Sequence, residues 1–324
     1  MILDTIASTI PHLRQVSIDE ALLRDACLHV RPDTLKLPTW DDDVFIAHPP
    51  KARASQILLF NAINFSYWGS PKWTVEFHDR PEDGAWGMLG SIARAVDEGI
   101  PVFDGAYLAS IPASDLRHVL RGNVEIPMFS QRLDILHETG RELVAQFDGG
   151  FVNLIHAAKH DAIALVKLLV SRFPSFNDVS TLDLPVASDE TEEVPVAFYK
   201  RAQLAAAMLY EAFRGQGLGS LRCTEEMTVF ADYKLPQVLR RLGILRYAPY
   251  LAARVDRLEP LEAGSCEEVE IRAATVWAAE LMRRQLLPRF PEVTALHIDY
   301  WLWREGQTQG PGIQPYHRVR SIYY

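Results

Sequence analysis

Most long segments of this 324-residue chain place apolar residues three or four positions apart, and few alternate apolar with polar residues. The first spacing puts apolar side chains on one face of an α-helix, whereas alternation is typical of a half-buried strand. Helices are predicted near residues 20–30, 52–67, 89–98, 116–120, 132–146, 152–173, 196–213, 236–242 and 267–287. Short strands are predicted only at 72–77 and 268–272, with no clear partner for either. The sequence therefore predicts a mainly α fold with few short strands.

Residues 178–193 hold many acidic side chains and no basic one. Such a stretch is typical of a solvated loop and could be mistaken for a linker between domains. Motifs that could carry chemistry lie on both sides of it, so the flanking helices are expected to pack together. The prediction is a single integrated helical domain over residues 1–324, with two lobes divided near 178–193 as the alternative.

The charge balance limits the partners of the chain. Its 33 Lys and Arg residues against 42 Asp and Glu residues give a formal net charge of −9. Duplex nucleic acid is bound mostly through cationic contacts with phosphates, so no stable nucleic-acid partner is expected. A small anionic ligand is compatible with the composition, because it needs only a local basic pocket.

Several common motifs are absent from the sequence. The cysteines Cys27, Cys223 and Cys266 are far apart, which argues against a disulfide framework or a zinc site. There is no Walker loop, dinucleotide-binding glycine fingerprint or HExxH motif, so neither a metal nor an organic cofactor is expected. Nothing resembles a signal peptide, and no apolar run is long enough to cross a membrane. The cytoplasm is the expected location, without a membrane partner.

The segment 227–245 (MTVFADYKLPQVLRRLGIL) holds the strongest candidate for a catalytic residue. Asp232 lies between the aromatic residues Phe230 and Tyr233, and Lys234 follows with a proline two residues later. Proline is tolerated in the first turn of a helix, so Asp232 is predicted just before a helix N-terminus. A carboxylate, aromatic rings and a cationic corner together suit a phosphorylated nucleoside. The alternative is an aspartate that only caps the helix, although the two roles are compatible.

Several segments resemble the queuosine salvage proteins, the queuosine 5′-phosphate N-glycosidases. They are residues 61–68 (NAINFSYW), 99–107 (GIPVFDGAY), 198–203 (FYKRAQ), 230–245, 299–303 (DYWLW) and 315–324 (PYHRVRSIYY). The resemblance implies hydrolysis of the bond between ribose and the deazaguanine base queuine. It also implies a mostly helical fold similar to the helix-hairpin-helix DNA glycosylases. It gives Asp232 the place of the family's carboxylate, and Phe230 that of an aromatic residue lining the base site.

Two of these residues are the main candidates for binding the base. Phe230 is expected to stack on it, with a place in the hydrophobic core as the alternative. Asp299 lies among aromatic residues, where an unpaired acid is costly to bury. It is expected to accept hydrogen bonds from the base edge or from the amine of the base side chain. The alternative for Asp299 is a structural ion pair with Arg318 or Arg320.

Further base-binding candidates supply polar groups and aromatic walls. They are His48, Asn64, Trp68 and Trp303. A histidine can form hydrogen bonds with a ligand at neutral pH, but the alternative for His48 is a structural or surface role. An amide between aromatic residues can read polar base atoms, and the alternative for Asn64 is to cap the end of its own helix.

Binding of the ribose and phosphate needs hydrogen-bond donors and positive charge. Lys200 lies at the predicted start of a helix, where a lysine opposes the macrodipole and an anion is favoured. The alternative partner for Lys200 is the acidic segment just before it. Lys234 is close to Asp232, Tyr233 adds a hydroxyl, and His317 belongs to a second cationic cluster near residue 318. All four are expected to contribute to this part of the site.

The expected function is hydrolysis of queuosine 5′-monophosphate, a small-molecule nucleotide, to queuine and ribose 5-phosphate. Specificity for queuine rests on the resemblance alone. One alternative is a DNA or RNA base glycosylase on the same scaffold. The other is a non-catalytic helical protein that binds nucleotides or acts as a scaffold, and it predicts that Asp232 and Asp299 do not converge on one pocket. The sequence predicts no particular oligomeric state.

Overall fold

The computed structural model describes residues 2–185, 191–308, 310 and 313–324. The α-helices in these residues are α1 Ile2–Ala7, α2 Glu20–Leu28, α3 Pro50–Ala62, α4 Gly84–Asp97, α5 Gly105–Leu108, α6 Ala113–Val119, α7 Phe129–Gln146, α8 Val152–Ala157, α9 Ala162–Arg172, α10 Lys200–Ala212, α11 Lys234–Arg241, α12 Pro249–Asp256, α13 Cys266–Leu286 and α14 Ala295–Glu305. The prediction of a mainly α fold is confirmed. The finer likeness to the helix-hairpin-helix DNA glycosylases stays a prediction.

The strands are short and form two-stranded sheets. They are β1 Val16–Ile18, β2 Thr74–Phe77, β3 Arg80–Asp83, β4 Val179–Pro185, β5 Thr191–Ala197, β6 Leu245–Tyr247, β7 Pro260–Leu261 and β8 Arg318–Val319. Strand β1 pairs antiparallel with β6, β2 with β3 and β4 with β5, whereas β7 and β8 are parallel. The strand predicted at 72–77 is confirmed as β2. The strand predicted at 268–272 is wrong, because these residues lie inside α13, which is buried on several sides.

The acidic segment forms a hairpin rather than the predicted solvated loop. Strands β4 and β5 pair in register from Val179 opposite Ala197 to Pro185 opposite Thr191, and residues 186–190 lie outside the described part of the chain. Leu182 and Leu184 alternate with exposed residues and point into the core. Asp183 and Glu193 lie opposite each other and are exposed, so β4 has an apolar face that its acidic composition does not reveal.

Several of the predicted helices have different boundaries in the structure, and the regions 152–173 and 196–213 differ because the chain turns within them. The region 152–173 forms α8 and α9, because Lys159 and His160 adopt positive φ angles of 52° and 54° and Asp161 then caps α9. The region 196–213 begins as strand, and the chain turns at Tyr199, with a φ of 48°, before α10 starts. Apolar spacing does not detect such breaks, since the apolar faces on both sides of each break are buried.

The hydrophobic core consists of two clusters of buried side chains. One contains residues from α3, α4, α7, α9 and α10, and the other contains residues from α2, α11, α13, α14 and the hairpin. The second cluster also includes Ile2 and Ile6 of α1, and the first includes Leu296 of α14. A boundary at 178–193 would divide both clusters, so we propose one integrated domain. No helix in the described residues is long and apolar enough to cross a membrane.

Candidate active site

A cavity of about 740 Å³ lies where the two core clusters meet. Pockets for small ligands are commonly about 300–1,000 Å³, so a nucleotide fits this volume. The cavity lining includes most of the predicted site residues, namely Asn64, Trp68, Lys200, Phe230, Asp232, Tyr233, Lys234, Asp299 and Trp303. Asp232 and Asp299 therefore converge on one cavity, contrary to what the scaffold alternative predicts.

Asp232 caps α11 and also faces the cavity. Its Oδ1 accepts the backbone N–H groups of Lys234, at 2.7 Å, and of Leu235, at 3.1 Å. Within the described residues, its Oδ2 has no hydrogen-bond partner. The predicted capping role is therefore present, and it uses only one of the two oxygens. The other oxygen is available to a ligand.

Asp299 is a buried acid on α14, with 9% of its surface exposed. Its Oδ2 accepts the backbone N–H of Phe230 at 2.7 Å. Burial raises the pKa of Asp299 to about 8, and the charge of Asp232 contributes, while the Phe230 N–H and Lys200 oppose the shift. The alternative ion pair is not formed, because Arg318 and Arg320 lie over the ring of Trp68.

The raised pKa of Asp299 gives the stability of the protein a pH dependence of definite sign. The folded protein retains a proton that an exposed aspartate, with a pKa of about 3.9, releases. This stabilisation is complete below about pH 4 and is lost as pH rises through about 8. In Asp299→Asn the amide oxygen still accepts the Phe230 N–H, but the titration is absent. Between about pH 4 and pH 8, we expect the free energy of unfolding of this variant to rise relative to that of wild type. The rise should be up to about 1.4 kcal/mol for each unit of pH.

Urea unfolding at about pH 5 and about pH 8 measures this difference. The exposed residue Asp97 provides the control substitution Asp97→Asn, the same change of side chain at a position outside the cavity. A gap between Asp299→Asn and wild type that is equal at both pH values would contradict the prediction.

Lys200 is the first residue of α10 and is buried. Burial lowers the pKa of its ammonium group, while Asp232 and then Asp299 oppose the shift. Its backbone N–H donates to Asp178 at 3.2 Å, but its Nζ makes no hydrogen bond within the described residues. The alternative partner, the acidic segment, therefore binds the backbone of Lys200 and not its ammonium group. The positive charge lies close to both cavity carboxylates.

A second cationic region lies around the start of α11. Lys234 Nζ donates to the Gly306 carbonyl at 3.0 Å and lies 5.5 Å from the ring centre of Tyr316. The ring of Tyr233 packs on that of Tyr316, with centroids 4.6 Å apart. Lys72, which the sequence analysis missed, also lines the cavity and is paired with an aspartate. These donors suit a phosphate group.

Phe230 and Asn64 are buried residues that line the cavity. Phe230 belongs to the first core cluster, so its core role and its place on the cavity wall are both present. The side chain of Asn64 makes no hydrogen bond within the described part of the chain. The predicted alternative of a helix cap is absent, because α3 ends before Asn64 and receives no bond from it. A buried amide without a partner is suited to a ligand.

Aromatic side chains cover much of the cavity wall. Trp303 stacks on Trp86, with centroids 5.6 Å apart and an interplanar angle of 11°, and on Tyr300, at 5.7 Å and 19°. The Nε1–H of Trp68 donates to the Val319 carbonyl at 3.1 Å. These contacts hold flat apolar surfaces along the cavity wall, and such surfaces suit stacking on a planar ring.

His48 and His317 do not line the cavity, which contradicts their predicted contacts with the ligand. His48 is exposed just before α3. His317 is 2% exposed, and its Nε2 lies 3.3 Å from the Tyr324 hydroxyl. Burial, assisted by the charge of Arg272, lowers the pKa of His317 to about 3, so the ring is neutral. The basic pattern HRVR suggested a charged tail, but this tail folds back into the core.

Glu211 is the main cavity residue that sequence reasoning missed. It lies on α10, on the same face as Lys200, Leu204 and Met208, and all of them line the cavity. Their spacing of four, four and three residues is that of one helix face. A lysine and a glutamate at the ends of an otherwise apolar stripe are the signal that could have identified it.

Arg272 of α13 connects the backbone segments that carry Lys200 and Asp232. Its guanidinium donates to the Asp178 carboxylate at 2.9 and 2.6 Å, and Asp178 in turn accepts the N–H of Lys200. The Arg272 Nε–H donates to the Ala231 carbonyl at 3.2 Å, directly before Asp232. One buried cation therefore holds the backbone beside both the lysine and the aspartate of the cavity.

Comparison with known proteins matches residues 46–324 to the family model described as queuosine salvage protein. The chain belongs to the queuosine salvage protein family. A relative from Sphaerobacter thermophilus is 44% identical over 287 residues, which cover 89% of this chain and 86% of the relative. Relatives from Bos taurus and Mus musculus are each 34% identical, covering 85% of this chain and 82% of each relative. All three are named queuosine 5′-phosphate N-glycosylase/hydrolase.

The family match confirms the resemblance stated from the sequence segments. It spans the helices α3 to α14 and therefore nearly all of the cavity wall. Trp40 lies just before the matched range. The helices and loops that carry Asp232, Asp299 and Lys200 therefore all lie within the part of the chain that matches the family.

Proposed function

We propose that this protein hydrolyses the N-glycosidic bond of queuosine 5′-monophosphate and releases queuine and ribose 5-phosphate. The observation that carries the proposal is the convergence of Asp232, Asp299 and Lys200 on one nucleotide-sized cavity in a queuosine salvage protein. The name shared by the relatives supports the same substrate and reaction. An N-glycosidase of this kind uses its carboxylates and aromatic rings and needs no organic cofactor.

Cleavage of the bond develops positive charge on the ribose, in a state that resembles an oxocarbenium ion. The free Oδ2 of Asp232 stabilises this charge and orients the water that adds to the ribose carbon. The electron pair of the broken bond moves to the base nitrogen, which takes up a proton as queuine leaves. The added water gives up one proton and remains on the ribose carbon as a hydroxyl group, so one water molecule is consumed. Lys200 lies beside the ribose, where the nearby carboxylate of Asp232 balances its positive charge.

The base is held by stacking and by hydrogen bonds. Phe230 stacks on its face, while Trp68 and Trp303 form the neighbouring walls. Asp299 accepts hydrogen bonds from the N–H groups of the guanine-like edge. Its hydrogen bond with the backbone N–H of Phe230 orients the carboxyl group for this contact. Asn64 adds a donor and an acceptor that have no partner within the described residues.

The 5′-phosphate lies at the cationic region around the start of α11, near Lys234 and Tyr233. In the variant Lys234→Met, we expect kcat/KM for queuosine 5′-monophosphate to fall about ten- to a hundredfold, because a charge-assisted hydrogen bond contributes roughly 1.5–3 kcal/mol. The same parameter for the nucleoside queuosine should change little. Steady-state kinetics with both substrates measure this difference.

Lys51→Met, at an exposed position of α3, is the control and should leave both substrates unaffected. Thermal unfolding of Lys234→Met shows whether the lost bond to the Gly306 carbonyl matters for stability. An equal loss with the nucleotide and the nucleoside would remove Lys234 from the phosphate site.

The direct test of the function is release of free base. The purified protein, without added metal, is incubated with queuosine 5′-monophosphate, queuosine, GMP and AMP, and the bases are followed by mass spectrometry. The expected result is rapid release of queuine from the monophosphate, with slower or no release from the others. A folded protein that releases no base from any of the four would overturn the proposal and restore the non-catalytic alternative.

A further inference from the structure

One end of the cavity contains a buried carboxyl group that the mechanism above does not use. Glu211 has 7% of its surface exposed and lines the cavity. Its Oε2 accepts the Nε1–H of Trp40 at 2.7 Å. Its Oε1 has no hydrogen-bond partner within the described residues. Half of the hydrogen-bonding capacity of this carboxyl is therefore free to meet a ligand.

No cation of the described protein pairs with Glu211. The basic side chains in the cavity lining are Lys72, Lys200 and Lys234. Lys72 is paired with Asp83, Lys234 donates to a carbonyl, and Lys200 lies close to Asp232 and Asp299. Burial raises the pKa of Glu211 to about 8, against the Trp40 hydrogen bond and with a contribution from Asp299. An acid that is costly to ionise alone gains most from a ligand that brings a positive charge.

Four aromatic rings form a closed cycle of contacts beside Glu211. Trp40 contacts Trp86 with centroids 6.2 Å apart, and Trp86 stacks on Trp303. Trp303 stacks on Tyr300, which returns to Trp40 edge-on at 6.1 Å. All four line the cavity, and Trp40 is the one that holds Glu211. Aromatic faces attract cations, so the carboxyl and the rings favour the same kind of group.

Glu211 lies at the end of the cavity away from Lys200. The two residues are eleven positions apart on α10, which at a rise of about 1.5 Å per residue separates their places on the helix by about 16 Å. If Lys200 lies at the ribose, Glu211 lies well away from the sugar. Queuosine carries on the five-membered ring of its base a side chain that extends away from the sugar, and the secondary amine of this side chain is a cation near neutral pH.

We propose that Glu211 binds the protonated side-chain amine of the queuine base within the cycle formed by Trp40, Trp86, Tyr300 and Trp303. This inference rests on the proposed function and deepens it. Asp299 reads the guanine-like edge that all such bases share, whereas Glu211 selects the bases that carry an amine. The ammonium donates to the free Oε1, and no covalent bond changes in this step.

The test compares binding of two free bases, queuine and 7-deazaguanine, which lacks the amine. Isothermal titration calorimetry on the wild-type protein should give at least tenfold tighter binding of queuine. Glu211→Gln keeps the size of the side chain and an oxygen for the Trp40 N–H but loses the charge. We expect this variant to bind queuine ten- to a hundredfold more weakly, the usual effect of losing a charge-assisted bond, and 7-deazaguanine within about threefold of wild type.

Two results would overturn the proposal. One is equal binding of both bases by the wild-type protein, which needs no variant. The other is a folded Glu211→Gln that binds queuine normally or weakens both bases alike, as a purely structural glutamate would. Glu98→Gln, at an exposed ion pair, is the matched control and should match wild type. Base release by the wild-type protein is measured separately, so that failure of the amine site is distinguished from failure of the hydrolase function.

Discussion

Asp232→Asn is expected to slow the release of queuine from queuosine 5′-monophosphate by on the order of 10³-fold. The carboxylate is the negatively charged group that the proposed mechanism places against the ribose cation, and an amide supplies no negative charge. Lys200 aggravates the loss, because its positive charge then lies beside the developing cation with one carboxylate fewer to balance it. Single-turnover kinetics with the monophosphate, with queuine followed by mass spectrometry, measure the rate of the chemical step.

The same substitution separates catalysis from capping. Asparagine is as good a helix N-cap as aspartate, so Asp232→Asn should keep the bonds to the N–H groups of Lys234 and Leu235 and unfold at nearly the wild-type temperature. Asp232→Ala should lose activity and, in addition, about 1 kcal/mol of stability. Asp19 caps α2 in the same way outside the cavity, so Asp19→Asn is the matched control and should be fully active. Activity of Asp232→Asn within tenfold of wild type would leave only the capping role.

Arg272→Met is expected to destabilise the folded protein by about 3–5 kcal/mol. Arg272 and its partner Asp178 are each 1% exposed, and Glu268 lies 3.5 Å from the same guanidinium. The guanidinium is also stacked between the rings of Phe198 and Tyr324, at 3.9 and 4.5 Å. Methionine fills part of the volume but leaves two buried acids without their cation. The free-energy cost of burying these unpaired charges exceeds the net contribution that an intact buried ion pair makes to stability.

Urea denaturation measures this loss, and the exposed pair of Arg24 and Glu20 on α2 provides the control. Arg24→Met should change the free energy of unfolding by less than about 1 kcal/mol. Where Arg272→Met is still folded, its activity should also fall, because Asp178 and the Ala231 carbonyl no longer hold the backbone of Lys200 and Asp232. A loss of stability as small as that of Arg24→Met would show that the buried network does not depend on this arginine.

Local patterns in the sequence determined the features that depend on neighbouring residues. Apolar spacing predicted most of the helices, because burying one helix face requires it. The aspartate ahead of a proline-bearing turn placed Asp232 at the start of α11, where Oδ1 caps the helix. Six short segments, two of which contain Phe230 and Asp299, together carried the resemblance to the family. Each of these signals lies within one element, and neither the family nor the helices needed any knowledge of long-range contacts.

The tertiary structure alone decided which polar residues meet. The N–H of Phe230 binds Asp299 across 69 residues, Arg272 binds Asp178 across 94, and Trp40 binds Glu211 across 171. The tertiary structure also places His317 outside the cavity lining. Burial lowers the pKa of His317, so its ring lacks the positive charge on which the predicted phosphate contact depended. Burial sets both the partner and the protonation of a polar group. Burial depends on elements that are distant in the chain, so it cannot be predicted from residue type and local spacing.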